Sequence, residues 1–151
     1  MVFIIFVACE DMARVMAVDY GRKRTGLAVT DVSQLIAGGL TTVASGKAVD
    51  FIKDYALREP VECIVVGKST QADGCDSENM RRVDAFVTKL KKVVPHIRIE
   101  LFDERFTTVL AHRAMLQGGL KKKERRNKAL ADEISAVIIL QDWLEARLLR
   151  K

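Results

Sequence analysis

Apolar residues recur along this chain with two different spacings, and the switches between them mark out its elements. Residues 13–20, ARVMAVDY, are apolar at nearly every position, as a strand buried on both faces would be. TGLAVTD, residues 25–31, follows closely enough to pair with it as a hairpin. IAGGLTTVA, residues 36–44, is a third strand pattern, in which Gly38 and Gly39 mark a bulge or a close backbone approach.

After Ser45 and Gly46 the spacing lengthens. In KAVDFIKDYALRE, Val49, Ile52, Tyr55 and Leu57 approximate one helical face, and Pro60 stops the helix. VECIVVG then predicts a central strand. Residues 78–94 predict an amphipathic helix with Val83, Phe86, Val87 and Leu90 on one side and Arg81, Lys89, Lys91 and Lys92 on a solvated side. HIRIELFDE alternates as a strand that ends in Asp103 and Glu104. Thr107 or Thr108 caps a helix running to Gln117, Gly118 and Gly119 end it, and KKKERR forms an exposed link. The final helix, about 129–149, carries ISAVIIL, apolar nearly all round, so core should grip it on more than one side. The order β-β-β-α-β-α-β-α predicts an α/β fold, a mixed five-stranded sheet with helices on its faces.

Length and composition narrow the setting. The 151 residues suit one domain, residues 12–151, with 1–11 an N-terminal extension or a mis-assigned start ahead of Met12. The opening apolar run is short, has no basic leader and is followed by Glu10 and Asp11, which supports neither a secretory signal nor a membrane span. Cys9, Cys63 and Cys75 are an odd set without Cys-x-x-Cys spacing, as expected of a reduced compartment. A cytoplasmic location with no membrane partner follows as the expectation. Lys and Arg outnumber Asp and Glu by 25 to 20, a formal +5 that suits a polyanionic partner.

Candidate chemistry gathers at the ends of elements. Asp19 ends the first strand, Asp103 and Glu104 end the last, and Asp132 sits near the start of the final helix. In open α/β sheets, groups at strand ends converge on one crevice although they are remote in sequence. Two bare carboxylates about 4 Å apart repel by roughly 4 kcal/mol at an effective dielectric near 20, so converging acids need protonation or a cation. Hard oxygen donors favour Mg2+ or Mn2+, which cut phosphodiesters by in-line displacement.

Three stretches, VMAVDYGRKRTGLAVTD, FDERFTTVLAHRAM and DEISAVIILQDWLE, together resemble the YqgF family, also called RuvX, of ribonuclease H-like proteins. Their order is the family's, and they span nearly the whole chain from about residue 13 to 149. The resemblance implies a ribonuclease H-like fold with divalent metal at three acids: Asp19 from the first motif, Glu104 from the DER motif and Asp132 before the final apolar helix. Asp103 is a neighbour of open role. It also implies a nuclease acting at the 5′ end of pre-16S rRNA, or resolution of Holliday junctions. One departure stands out: where the family commonly has glycine, leucine and proline after the fourth strand, this chain has Gly67, Lys68 and Ser69. The conformation of that loop is what the departure puts in doubt, while Lys68 offers an added phosphate contact.

The basic residues fit the same expectation. Arg22, Lys23 and Arg24 would meet the polyanion beside the metal, and Gly21 would let a backbone or phosphate approach; the competing reading is a solvated turn. Arg105 and Thr107 would contact the scissile phosphate or orient the acids, against a structural salt bridge from Arg105 to Asp103 or Asp132. Lys121, Lys122, Lys123, Arg125 and Arg126 form a basic link suited to a phosphate backbone and equally to plain solvation. Aromatics are only 6% of residues and do not interleave with basic ones, so base stacking is not signalled; Phe102, Phe106 and Trp143 are expected in the core.

Three function classes remain to be separated. A metal-dependent endonuclease, with precursor rRNA favoured over branched DNA and acting as a monomer or weak homodimer, accounts for acids and bases together. A nuclease-like module that binds nucleic acid without cutting it accounts for the bases alone. A phosphoryl-transfer enzyme of the actin-like class would need a second lobe for which the chain has no room. His96 and His112 have no marked Ser or Cys partner, which disfavours a serine or cysteine hydrolase.

Overall fold

The evenly apolar first run lies where such a run must, in the middle of a sheet. A computed structural model describes residues 13–68, 77–103 and 128–150. In it β1 (Arg14–Tyr20) pairs with β2 (Arg24–Thr30) on one side and β4 (Val61–Lys68) on the other, while β3 (Ala37–Ala44) and β5 (Arg98–Asp103) form the edges. β2 is antiparallel to both its neighbours, whereas β4 and β5 run parallel to β1. The five-stranded mixed sheet expected from the spacing is therefore present. The expected helix ending at Gln117 and the KKKERR link lie outside the described residues, as do Cys9 and Cys75.

Alternation along the central strands builds two cores. Met16, Val18, Leu27, Ile64 and Val66 face one side and are covered by α1 (Ala48–Arg58) and α2 (Ser77–Val93). Val15, Ala17, Ala28, Cys63 and Val65 face the other and are covered by α3 (Lys128–Leu149) through Ala136, Ile139, Leu140 and Trp143. α3 packs against β1, β2, β3 and β4, which is why its apolar residues nearly encircle it. In α2 the expected face, Val83, Phe86, Val87 and Leu90, is buried. In α1 one expectation fails: Leu57 is 76% exposed, and the buried stripe is Ala48, Ile52 and Tyr55. Five residues separate Leu57 from Ile52, about 140° around the helix, so it points away from the sheet.

Glycines decide how closely α3 can lie. A methyl group on Gly26 would overlap the backbone carbonyl of Asp132, and one on Gly39 would overlap the Glu133 carboxylate. β2 and β3 therefore present bare backbone to the start of the helix. Both expectations for the Gly38–Gly39 pair hold, since the β2–β3 register also shifts between Leu27 and Ala28. The Thr42 hydroxyl donates to the Ala129 carbonyl at 2.5 Å and fastens the first turn of α3 to the edge strand. At the middle of the helix the Trp143 indole N–H donates to Glu100 Oε2 on β5 at 3.0 Å.

Two outcomes follow from this packing. Gly26→Ala should lower the unfolding free energy in urea by about 2–3 kcal/mol, because backbone on both sides of the new methyl must move. Cys63 is fully buried, and burial pushes its thiol up to about 11. A thiol raised in the folded state keeps its proton while the unfolded chain loses one above about pH 8.5–9, so it lowers stability only as pH climbs past that value. With Cys9 and Cys75 replaced by serine, native protein at pH 8 should react with a thiol reagent no faster than it unfolds.

Candidate metal and nucleic-acid site

The site begins at the hairpin. β1 and β2 are joined by Gly21, Arg22 and Lys23, with the Gly21 N–H donating to the Arg24 carbonyl at 3.0 Å. A methyl group at Gly21 would overlap that same carbonyl. The glycine is thus required by the turn itself, and of the two approaches expected there, a backbone or a phosphate, the one observed is the Arg24 backbone. Ser45 clasps the turn from behind: its N–H donates to Lys23 O at 2.9 Å and its hydroxyl to Gly21 O at 2.6 Å. With that hydroxyl proton engaged, buried Thr25 is the donor to Ser45 Oγ at 2.9 Å. Sequence reasoning took Ser45 only as a break between strand and helix.

This clasp fixes where the basic residues point. Arg22 and Lys23 are exposed on the turn. Arg24 is half-buried, and its Nε donates to Asp132 Oδ2 at 2.9 Å across 108 residues of sequence. Asp132 is therefore the partner of Arg24, and the proposed ion pair of Arg105 with Asp132 has a competitor already in place. The described residues do not include Glu104, Arg105, Phe106, Thr107, Lys121, Lys122, Lys123, Arg125 or Arg126.

Asp19 and Asp132 share one end and one face of the sheet. Asp19 is the Cα partner of Gly26 in the antiparallel pair, and the carbonyl of Asp132 lies directly over Gly26. Strand alternation puts Asp19 with Val15 and Ala17, on the α3 side. On β5 the residues that face α3 are Glu100 and Phe102, whereas Asp103 follows Ile99 to the α1–α2 side. Asp103 and Asp19 thus belong to opposite faces. Among the described residues no three acids, histidines or cysteines are grouped to hold a metal. The two described acids offer only hard carboxylate oxygens, a donor chemistry that fits Mg2+ or Mn2+ and not a softer ion.

Of the aromatic residues, Trp143 is buried and Phe102 packs against the α3 core, as expected. Tyr20 does something the composition did not signal. Next to Asp19 but turned to the other face, it stacks on Phe86 with ring centroids 4.3 Å apart.

The Arg24–Asp132 pair is 39% and 29% exposed, so water screens it. Arg24→Gln should therefore change the unfolding free energy by less than about 1 kcal/mol in urea titrations. A loss several times larger would mean that the pair, and not the packing on Gly26, holds α3 in place.

Comparison with known proteins bears on the family and the fold. A family model described as RuvX, Holliday junction resolvase, matches residues 13–146. A protein of Phocaeicola vulgatus named "Putative pre-16S rRNA nuclease" is 60% identical over 136 residues, 90% of this chain and 98% of that one. A protein of Flavobacterium psychrophilum with the same name is 49% identical over 137 residues, 91% of this chain and 100% of its own. Among solved structures, Thermus thermophilus RuvC in complex with a Holliday junction substrate superposes with a TM-score of 0.57 at 19% identity, covering 90% of this chain and 96% of that one. That likeness concerns the fold, which is the ribonuclease H-like architecture expected from the sequence.

Proposed function

The chain belongs to the RuvX family, and from that membership we infer that it is a metal-dependent endonuclease of structured nucleic acid, with precursor 16S rRNA as substrate. The observation that carries this reading is the seating of Asp132 over Gly26, the strand partner of Asp19, which brings acids 113 residues apart to one end of the sheet. The names of the relatives support the choice of substrate, and the carboxylates support the choice of chemistry.

Asp19 and Asp132 would hold Mg2+ or Mn2+ together with Glu104. The family motif points to Glu104 as the third acid, since Asp103 follows Ile99 to the α1–α2 side, away from Asp19. The ion would supply charge neutralisation and activation of a water at the scissile phosphodiester. Asp19 is held rigidly by its place in a central strand, so its carboxylate would need little reorganisation to act. Arg24 orients the Asp132 carboxylate in the metal-free state, and would turn toward a phosphate oxygen once a divalent ion takes over that carboxylate. Arg22 and Lys23, exposed on the clasped turn, would steer the backbone to the acids. Arg105, Thr107 and the basic link Lys121, Lys122, Lys123, Arg125 and Arg126 would extend the phosphate contacts. The described residues include no helix long and apolar enough to cross a membrane.

The test is cleavage of precursor 16S rRNA and of a four-way DNA junction, each with Mg2+, Mn2+ or chelator. Wild type should cut the RNA only with metal. Asp19→Asn and Asp132→Asn should each lower the rate at least 100-fold while RNA affinity in chelator falls less than about threefold. Cleavage unchanged by both substitutions would reject the site, and cleavage of the junction alone would reassign the substrate.

A further inference from the structure

On the face of the sheet opposite the acids, between the starts of α1 and the body of α2, lies a cavity of about 480 Å3 that the catalytic reading does not use. That is within the usual range for small-molecule sites. It opens at the same end of the sheet as Asp19: Tyr20, the next residue, forms one wall, and Ser45, which clasps the hairpin turn, forms another. The acids and the cavity lie on opposite faces of one sheet at the same end, a separation that a few nucleotides of strand would span. A strand whose phosphate reached the acids would pass the exposed Arg22–Lys23 turn and arrive at this opening.

The lining selects what could enter. Tyr20, partly exposed and backed by the buried Phe86 ring, offers an aromatic surface, and Val49 and Val93 add apolar contact. Lys89 is exposed at the cavity, while the guanidinium of Arg82 is held by Glu78 at 2.6 Å. Asp50 faces the same space, so a phosphate inside would meet an acid. A nucleobase meets neither difficulty: its ring can stack, an exocyclic amine can donate to Asp50, and its flanking phosphates can stay outside near Lys89.

We propose that this cavity receives one unpaired nucleobase of the substrate strand, preferring bases that present an amine donor to Asp50. The inference rests on the nucleic-acid reading of the acid site, which it deepens by assigning a substrate feature: an unpaired nucleotide a few positions from the cut. It needs no covalent step and no rearrangement of the sheet.

Gly46 provides a clean probe. Its backbone does not occupy the left-handed region, and a methyl group built on it meets nothing within 4 Å, so a larger side chain fits the fold while occupying the cavity mouth. The experiment measures, in chelator, the affinity of the full chain for an RNA duplex with and without a single bulged adenosine. Wild type should bind the bulged duplex roughly 5- to 100-fold more tightly, the range that stacking of one base supplies. A bulged uridine should gain less than a bulged adenosine. Gly46→Leu and Tyr20→Leu should bring the ratio of the two affinities to about one, whereas Tyr20→Phe should retain it. Adenosine 5′-monophosphate titrated into labelled protein should shift the amide signals of Gly46 and Lys89.

Equal affinities for the two duplexes in wild type, or a preference that survives Gly46→Leu, would overturn the proposal. Metal-dependent cleavage scored in parallel separates the two readings. Cutting without any preference for the bulge refutes the cavity alone. A bulge preference that depends on Gly46, in a chain that cuts nothing, refutes the nuclease reading alone.

Discussion

The structure depends on one close contact, the carbonyl of Asp132 resting on the backbone of Gly26. Any side chain on that strand position would lift α3 away from the sheet. With the helix in place, its apolar stripe closes the second core over Val15, Ala17, Cys63 and Val65, and its acid comes to the end of β1. Fold and site are thus set by the same absence of a Cβ. Burial drives the helix down, at about 25 cal/mol per Å2 of apolar surface, and the glycine determines how far it goes.

Around that contact the hairpin is held by polar groups that all find partners. Ser45 satisfies the turn carbonyl and is itself satisfied by Thr25, so the turn is rigid without a hydrophobic anchor. Arg24 then pairs with the half-buried Asp132, at the same end of the sheet as Asp19. Carboxylates brought together without a cation repel, and in the proposed site the arginine would offset this until a divalent ion is bound. The hairpin that exposes Arg22 and Lys23 thus also carries the arginine that pairs with Asp132.

Much of this was legible in the sequence, for a physical reason. Central strands are buried on both faces, so β1 and β4 are continuous apolar runs, and α2 shows its buried face through strict spacing. Asp19 stood out as an acid at the end of such a run, and Asp132 through the family motif. What was hidden depends on contacts between remote positions. The Arg24 pairing is one such contact, because nothing local says that Asp132, 108 residues on, will meet it. Leu57 was misplaced because α1 is short and loosely patterned, so one apolar residue off the stripe goes unnoticed. The Tyr20–Phe86 stack could not be read from composition, since it joins a strand end to a helix 66 residues away.

The central claim is that Asp19 and Asp132 contribute to a single divalent-cation site. Its most direct test is paramagnetic broadening of amide signals by substoichiometric Mn2+ in the uniformly labelled chain. Broadening should be strongest at Asp19, Gly26 and Asp132 together, and should vanish from all three in Asp19→Asn. Strong broadening elsewhere with those three signals untouched, or broadening at Asp132 that persists without the Asp19 carboxylate, would contradict it.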